Sequence, residues 1–565
     1  MNHRKEIVLI LLLIAVSAIP RLTGLGRFTS LDEPFWLRQG ANFYYALGQR
    51  AFQDTIYEYH PAVTTMWAVT AGLLLYFPRY RSLGEGYLKP GKFDLFLPAH
   101  QKDPLQLLIF SRAVQVVVVI VLLVATFVLL RRLFDDLKAF LATGLISISP
   151  FFLGHSRLLN HEAMLALFLL VSVLGMLVYL YGDRKWLLLL VSATSGALAQ
   201  LTKSSGIVLL PVVVLMLVIS VLAGSHEGWK RRALEAASTL VIWLVALAAA
   251  YVLFWPGMWV APGQMLSDVY GNAFTYAFQG ARLSVTGSVN PSDLGLASII
   301  PGLRFYLGDL AWRTTPVTWL GFLTAVVIVV LDLRQRRNLN FKLATLYAAV
   351  LAISFVLLFS LQAGPKPPHY IVTTYVGIDL LAGLGLARGL DLLGQRFSAL
   401  QTGWPAWGIV GVLLALQATS AATAYPYYIT YYNPLLEAVQ PGIQNPTLEN
   451  TGYGVGLDQA AAYLAQKPDA KDLTVLAANG YGCFSYYFPG HTTPINNFTL
   501  SDPQVVQVLG NAQYVVVDYY NQSRINLVSD LRGIQPEHTV WINGVDFLRI
   551  YPASDFPRGF GSLAP

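Results

Sequence analysis

Long apolar runs, separated by short gaps that hold most of the cations, set the pattern of this chain. Runs long enough to cross about 30 Å of hydrocarbon fall near 7–22, 106–130, 139–154, 162–181, 186–200, 206–223, 237–255, 315–331, 342–361, 370–387 and 406–424. Each is expected to be a helix. One further run, 62–77, is apolar but short. The gaps carry Arg131, Arg132 and Lys138; Arg184 and Lys185; Lys230, Arg231 and Arg232; Arg334, Arg336, Arg337 and Lys342; Arg388 and Arg396. Short loops rich in Lys and Arg stay on the cytoplasmic side, as does the start with His3, Arg4 and Lys5. If 7–22 runs outward and 131–138 is inside, no odd number of crossings fits between residues 22 and 106. The run 62–77 is therefore expected to lie along the outer surface or re-enter. The pattern predicts eleven crossings with the N-terminus inside. The segments 23–105, 155–161, 201–205, 256–314, 362–369 and everything after 424 then lie outside. The first helix also has a signal-peptide reading, with Val16 and Ala18 as small residues before a cut. Against it, Ile19-Pro20 would follow that cut.

Composition agrees. Of 565 residues 55% are hydrophobic and 12% charged, and mean hydropathy is +0.52; soluble proteins carry about 25% charged residues. A disordered chain, a soluble multidomain enzyme and a basic nucleic-acid binder are excluded. The net charge of +7 is largely a topology signal. The single cysteine, Cys483, excludes an internal disulfide and a cysteine metal cluster.

After Ala424 the pattern changes to short β-type runs, Thr474–Leu476 and Tyr514–Val517, and a helical stretch around Asp458–Gln466. Val540–Ile542, Asn543-Gly544 and Val545–Ile550 read as a hairpin with a two-residue type I′ turn. The chain thus divides into 1–424, a membrane domain with a first external loop over 23–105, and 425–565, a small α/β domain outside the membrane. Asn497-Phe498-Thr499 and Asn521-Gln522-Ser523 match glycosylation acceptors.

Candidate chemistry gathers on the outer face. Asp32 and Glu33 follow the first helix, before Pro34. They suit either the capping of the next helix or a general base for a hydroxyl proton. Arg157, His161 and Glu162 crowd the mouth of helix 162–181, where ionisable residues are costly; the structural alternative is a helix cap. Glu58, Tyr59 and His60 precede Pro61, Lys203 stands in Leu201-Thr202-Lys203, and Lys366, His369 and Tyr370 enter another helix from outside. Isolated Lys and His at a membrane edge are ordinarily interfacial anchors. Their convergence with two carboxylate sites on one face suits a phosphate beside an activated hydroxyl. No Gly-x-x-x-x-Gly-Lys-Ser/Thr loop is present, so no ATPase is expected.

These elements, in this order, resemble the GT-C superfamily of membrane glycosyltransferases that use polyprenyl-phosphate sugars, above all the protein O-mannosyltransferases and the lipid A aminoarabinose transferases. Asp32-Glu33 resembles their first-loop Asp-Glu pair, and Tyr59-His60-Pro61 a later His-Pro element. Arg157 with Glu162 resembles an Arg-to-Asp spacing with Glu for Asp, and Leu201-Thr202-Lys203 a Leu-Thr-Lys element. Lys366…His369-Tyr370 resembles a Lys…Arg-Tyr element with His for Arg. Gly452-Tyr453-Gly454-Val455-Gly456 resembles a Gly-rich stretch, with Val where the relatives carry Glu.

The resemblance implies a bundle of about eleven transmembrane helices with juxtamembrane helices in the first external loop. It implies inverting sugar transfer from a polyprenyl phosphate to a protein, lipid or glycan hydroxyl, outside the cell membrane. Asp32 is then the expected base, with Glu33 and Glu162 orienting substrate or holding a divalent metal. Arg157, Lys203 and Lys366 are expected at the phosphate, His369 and Tyr370 beside it, and His60 with Glu58 as a second metal-ligand option. Membrane lipids are expected partners and nucleic acid is not. The competing readings are a lipid-linked-sugar flippase, a glycoside hydrolase and a noncatalytic scaffold.

Overall fold

The structure, a computed structural model, describes residues 3–83, 86–89, 91–223, 228–278, 298–332, 339–362, 366–397, 403–439, 453–478, 480–495, 510–518 and 534–555. Both glycosylation matches and Gly452 lie outside the described residues. The longer helices are α1 (His3–Leu22), α2 (Glu33–Gln49), α3 (Val63–Tyr76), α4 (Pro104–Leu133), α5 (Asp136–Ile148), α6 (Pro150–His155), α7 (Glu162–Tyr181) and α8 (Trp186–Thr202). They continue as α9 (Leu209–Leu222), α10 (Trp229–Phe254), α11 (Ile299–Arg313), α12 (Pro316–Asp332), α13 (Leu339–Leu361), α14 (Val372–Arg396), α15 (Trp404–Ala422) and α16 (Leu457–Leu464).

All eleven apolar runs are helical. Among the described residues seven helices are long and apolar enough to cross a membrane, and α11 with α12, bent by 117°, makes an eighth if counted as one span. The protein is therefore a multi-pass membrane protein. The remaining runs fall short for visible reasons. The first turn of α1 is charged, α5 and α6 are broken at Ser149-Pro150, and α8 has 17 residues. The run 62–77 forms α3, whose 14 residues reach only about 21 Å at 1.5 Å per residue. It packs on α2 and α4.

Small residues set the helix spacing, as they do where lipid supplies no hydrophobic drive between helices. A Cβ on Gly383 of α14 would lie 2.3 Å from the Ala142 backbone of α5. One on Gly385 would lie 2.3 Å from the Gly321 carbonyl of α12. The apolar stretch of α14 is buried throughout.

The cationic loops share one end of the bundle. Ion pairs link Lys5 to Asp136 (3.0 Å), Arg131 to Glu6 (2.7 Å), Lys138 to Asp391 (3.1 Å), Arg132 to Asp183 (3.2 Å) and Arg184 to Glu235 (3.2 Å). Several described positions that the charge pattern assigned to a single side are thus neighbours in space.

The small domain holds a five-stranded sheet of order β2-β1-β3-β5-β4, with strands Thr474–Ala478, His491–Ile495, Tyr514–Asp518, His538–Ile542 and Val545–Pro552 numbered along the chain. β1 pairs parallel with β2 and β3; β5 pairs antiparallel with β3 and β4. The β4–β5 turn has positive φ at Asn543 (51°) and Gly544 (77°), the type I′ signature. β2 was not legible because it is an edge strand carrying Pro494, a residue that edges tolerate and strand patterns penalise. The domain's core takes in Phe28 and Leu158 from the membrane part, so the two parts share one apolar interior.

Candidate active site

The acids Asp32 and Glu33 are chain neighbours with opposite surroundings. Glu33 is fully buried. Its Oε1 accepts from Arg112 Nε (2.6 Å) and the Leu159 amide (2.6 Å); its Oε2 accepts from Arg112 Nη2 (2.5 Å) and the Ser30 amide (2.7 Å). A carboxylate offers about four lone-pair sites, and all four are taken. Arg112 is equally engaged, donating also to the carbonyls of Leu25 (2.5 Å) and Phe28 (2.7 Å). Glu33 thus locks the first external loop to α4 and to the 157–160 turn. This corrects its expected orienting or metal-holding role, because no lone pair remains for a substrate or a cation. Arg112 was missed, although a single Arg inside an apolar run is itself a signal.

Two expected phosphate ligands are likewise structural. Arg157 donates to Thr23 O (2.8 Å) and Gly24 O (2.6 Å) and lies 5.4 Å from the Tyr428 ring centre. Lys366 donates to the carbonyls of Phe359 (3.3 Å), Ser360 (3.2 Å) and Gln362 (2.7 Å). Both follow one rule. The last carbonyls of a helix lack intrahelical donors and carry partial negative charge, so a nearby cation satisfies them. Arg157 does this for α1 and Lys366 for α13.

Asp32 sits at the N-cap of α2, yet its side chain makes no capping hydrogen bond. Its backbone is already α-helical (φ −84°, ψ −21°), whereas a capping residue normally adopts β-region angles to aim its oxygen at the first amides. Instead Oδ2 accepts the Tyr453 hydroxyl at 2.5 Å. The Tyr453 ring packs 4.9 Å from His369 and 6.2 Å from His155, centre to centre. Burial first, and the Asp32 charge second, hold the phenol well above its ordinary value of 10, so it stays protonated. Tyr453 was also missed; attention to the missing acid in its Gly-rich stretch hid the tyrosine beside it. His369 is turned to Tyr453 here.

Glu162 heads α7, with Lys203 Nζ donating to its Oε1 at 2.5 Å; both are buried. Lys203 also stands 4.2 Å from the centre of the Tyr370 ring. It lines a cavity of about 220 Å³ with Tyr59, His60, Ser204, Phe359 and Tyr370. Of the three cations expected at a phosphate, Lys203 is the one that faces this cavity. His60 reaches Ser204 Oγ at 3.4 Å. His161 bonds Thr65 Oγ1 (2.9 Å). Its imidazole is pushed down to about 3 by burial and then by Lys203, so it is neutral. Glu58 is exposed at the edge. Among the described residues no group of three or more His, Cys, Asp and Glu converges on a metal position, and Glu33 is occupied.

Two buried polar groups deeper in the bundle were not foreseen. Asp309 accepts from Arg313 Nε (2.7 Å) and Tyr375 (2.7 Å), and Asp379 accepts from Thr318 (2.8 Å).

Comparison with solved structures returns ArnT from Cupriavidus metallidurans bound to undecaprenyl phosphate (15% identity, 97% of this chain and 98% of that chain, TM-score 0.48). It also returns the Archaeoglobus fulgidus oligosaccharyltransferase in complex with zinc and sulfate (14%, 90% and 68%, TM-score 0.48). A third is the S. cerevisiae protein O-mannosyltransferase Pmt1–Pmt2 complex bound to the sugar donor (17%, 52% and 38%, TM-score 0.35). No curated protein matches the sequence. Residues 108–255 match the family model described as dolichyl-phosphate-mannose-protein mannosyltransferase. That stretch carries Arg112, Glu162 and Lys203, and over it the chain is similar to the membrane mannosyltransferases of that family.

Proposed function

We propose that the protein transfers a sugar from a polyprenyl-phosphate donor to a hydroxyl acceptor, with inversion and with Asp32 as general base. The observation that carries this reading is the Asp32 carboxylate, uncommitted to capping and holding a hydroxyl hydrogen at 2.5 Å. In a single displacement the acceptor oxygen attacks the anomeric carbon while its proton passes to Asp32. The bond from that carbon to the phosphate oxygen breaks, and polyprenyl phosphate leaves. Phosphate is a good leaving group, so the enzyme needs a base on one side and positive charge on the other. Lys203 supplies that charge, steadied by Glu162 and Tyr370. The cavity it lines also takes in Ile207 and Phe274, both exposed on the bundle's surface. There a lipid chain finds an apolar exit into the bilayer.

The cation-rich end is the cytoplasmic one by the positive-inside rule, so the eleven-crossing topology puts this chemistry and the small domain on the outer face. The acceptor class is protein, lipid or glycan. The reaction is metal-independent in this reading, and EDTA leaves the rate unchanged.

The test is transfer by purified protein from radiolabelled undecaprenyl-phosphate sugars. Asp32→Asn is expected to lose about 10²-fold or more, the range of a general base. Undiminished transfer by that variant removes Asp32 from the role.

A further inference from the structure

A hydroxyl bonded to one oxygen of a base competes with an incoming hydroxyl for that oxygen. The Tyr453 hydroxyl lies on Asp32 Oδ2 at 2.5 Å, a position that an acceptor hydroxyl approaching that oxygen would take. Tyr453 belongs to the small domain, not to the membrane bundle. Its ring lies against His369, and the following Val455 is buried in that domain's core.

The segment is built to be held and released. Gly454 and Gly456 flank Val455 with φ of +86° and +87°, a region that residues with a Cβ enter at a cost and glycine enters freely. A Cβ on Gly454 would lie 2.8 Å from the Thr29 carbonyl, so the segment seats its backbone directly against the first external loop. The Tyr453 side chain thus meets Asp32 while the backbone after it packs on the loop that carries Asp32.

We propose that Tyr453 is a stand-in for the acceptor: its hydroxyl occupies the acceptor's position on Asp32 and shields the base from water until an acceptor hydroxyl displaces it. This rests on the reading of Asp32 as the general base. Tyr453 cannot be the base itself, since its phenol stays protonated. Its function is to keep the donor from hydrolysis. In that side reaction a water oxygen attacks the anomeric carbon, its proton goes to Asp32, the carbon–phosphate oxygen bond breaks, and free sugar and polyprenyl phosphate are released.

The test is acceptor-free turnover of the purified full chain on undecaprenyl phosphate carrying mannose, glucose, galactose or 4-amino-arabinose, read as free sugar released. Tyr453→Phe keeps the ring and its packing but removes the hydroxyl. It is expected to raise hydrolysis of the accepted donor about tenfold, a fraction of what a freed general base supplies, with donor KM unchanged. Gly454→Ala, which pushes the segment off Thr29, is expected to act in the same direction. Adding Asp32→Asn to Tyr453→Phe abolishes the gain. Hydrolysis by both single variants at or below the wild-type rate with every donor overturns the proposal. If Asp32→Asn alone transfers normally, the base reading is what fails. If Asp32→Asn is inactive and the Tyr453 and Gly454 variants stay flat, only the stand-in fails.

Discussion

Two clusters of charge lie at the same end of this bundle, and their partners separate them. In the first, Glu33 and Arg112 bind each other and then backbone groups of Ser30, Leu159, Leu25 and Phe28. Every lone-pair position of the Glu33 carboxylate is filled, and the cluster holds three chain segments in place. In the second, Asp32, Glu162 and Lys203 meet side chains: Tyr453, Tyr370 and each other. Lys203 also faces a cavity. Charges bonded to backbone are committed to the fold, because the chain cannot withdraw an amide or a carbonyl without unfolding locally. Charges bonded to side chains near a cavity can exchange partners, which chemistry requires.

Substitutions in each cluster test this difference. Arg112→Ala leaves Glu33 buried and unpaired, and breaking such a pair typically costs about 3–5 kcal/mol. It should abolish recovery of monodisperse protein from detergent extracts; a well-folded, active variant would erase the distinction. Asp32→Asn should leave the thermal midpoint in place while transfer falls by about 10²-fold or more. A matching loss in a stable Glu33→Gln variant would merge the two clusters. Lys203→Met removes the charge that we assign to the donor phosphate. Charge-assisted hydrogen bonds are worth about 1.5–3 kcal/mol, so donor KM should rise about tenfold to a hundredfold, measured beside Glu162→Gln/Lys203→Met, which avoids an unpaired buried acid. Lys366→Met should be mildest. It loses a helix-terminal contact worth about 0.3–1 kcal/mol and leaves donor KM within error. A donor KM shift as large as that of Lys203→Met would return Lys366 to the phosphate.

Much of the architecture was legible along the chain. The apolar runs located all seven helices that are long enough to cross a membrane, and described loop cations pair with one another's segments. Asn543-Gly544 specified its hairpin, since few other residue pairs enter the left-handed region twice in succession. The site was legible only in part. Glu162, Lys203 and Tyr370 are brought together in the structure. Arg157 and Lys366 bind carbonyls at helix ends; a cation that meets a helix end and a cation at a ligand site look alike in sequence. Arg112 escaped because its run reads as uninterrupted membrane span, and Tyr453 because nothing local marks a tyrosine as the partner of an acid 421 residues away.

By itself, the sequence determined a multi-pass bundle with a small β-containing domain after it, and it determined which end holds the unusual acids. These properties follow from hydrophobic periodicity, turn chemistry and charge sidedness, all of which act over a few residues. Only the tertiary structure decided which of those acids is bound to backbone groups and which meets side chains. The deciding partners are backbone amides, carbonyls and a phenol brought in from distant segments, and a hydrogen-bonding group has no role until its partner is in place.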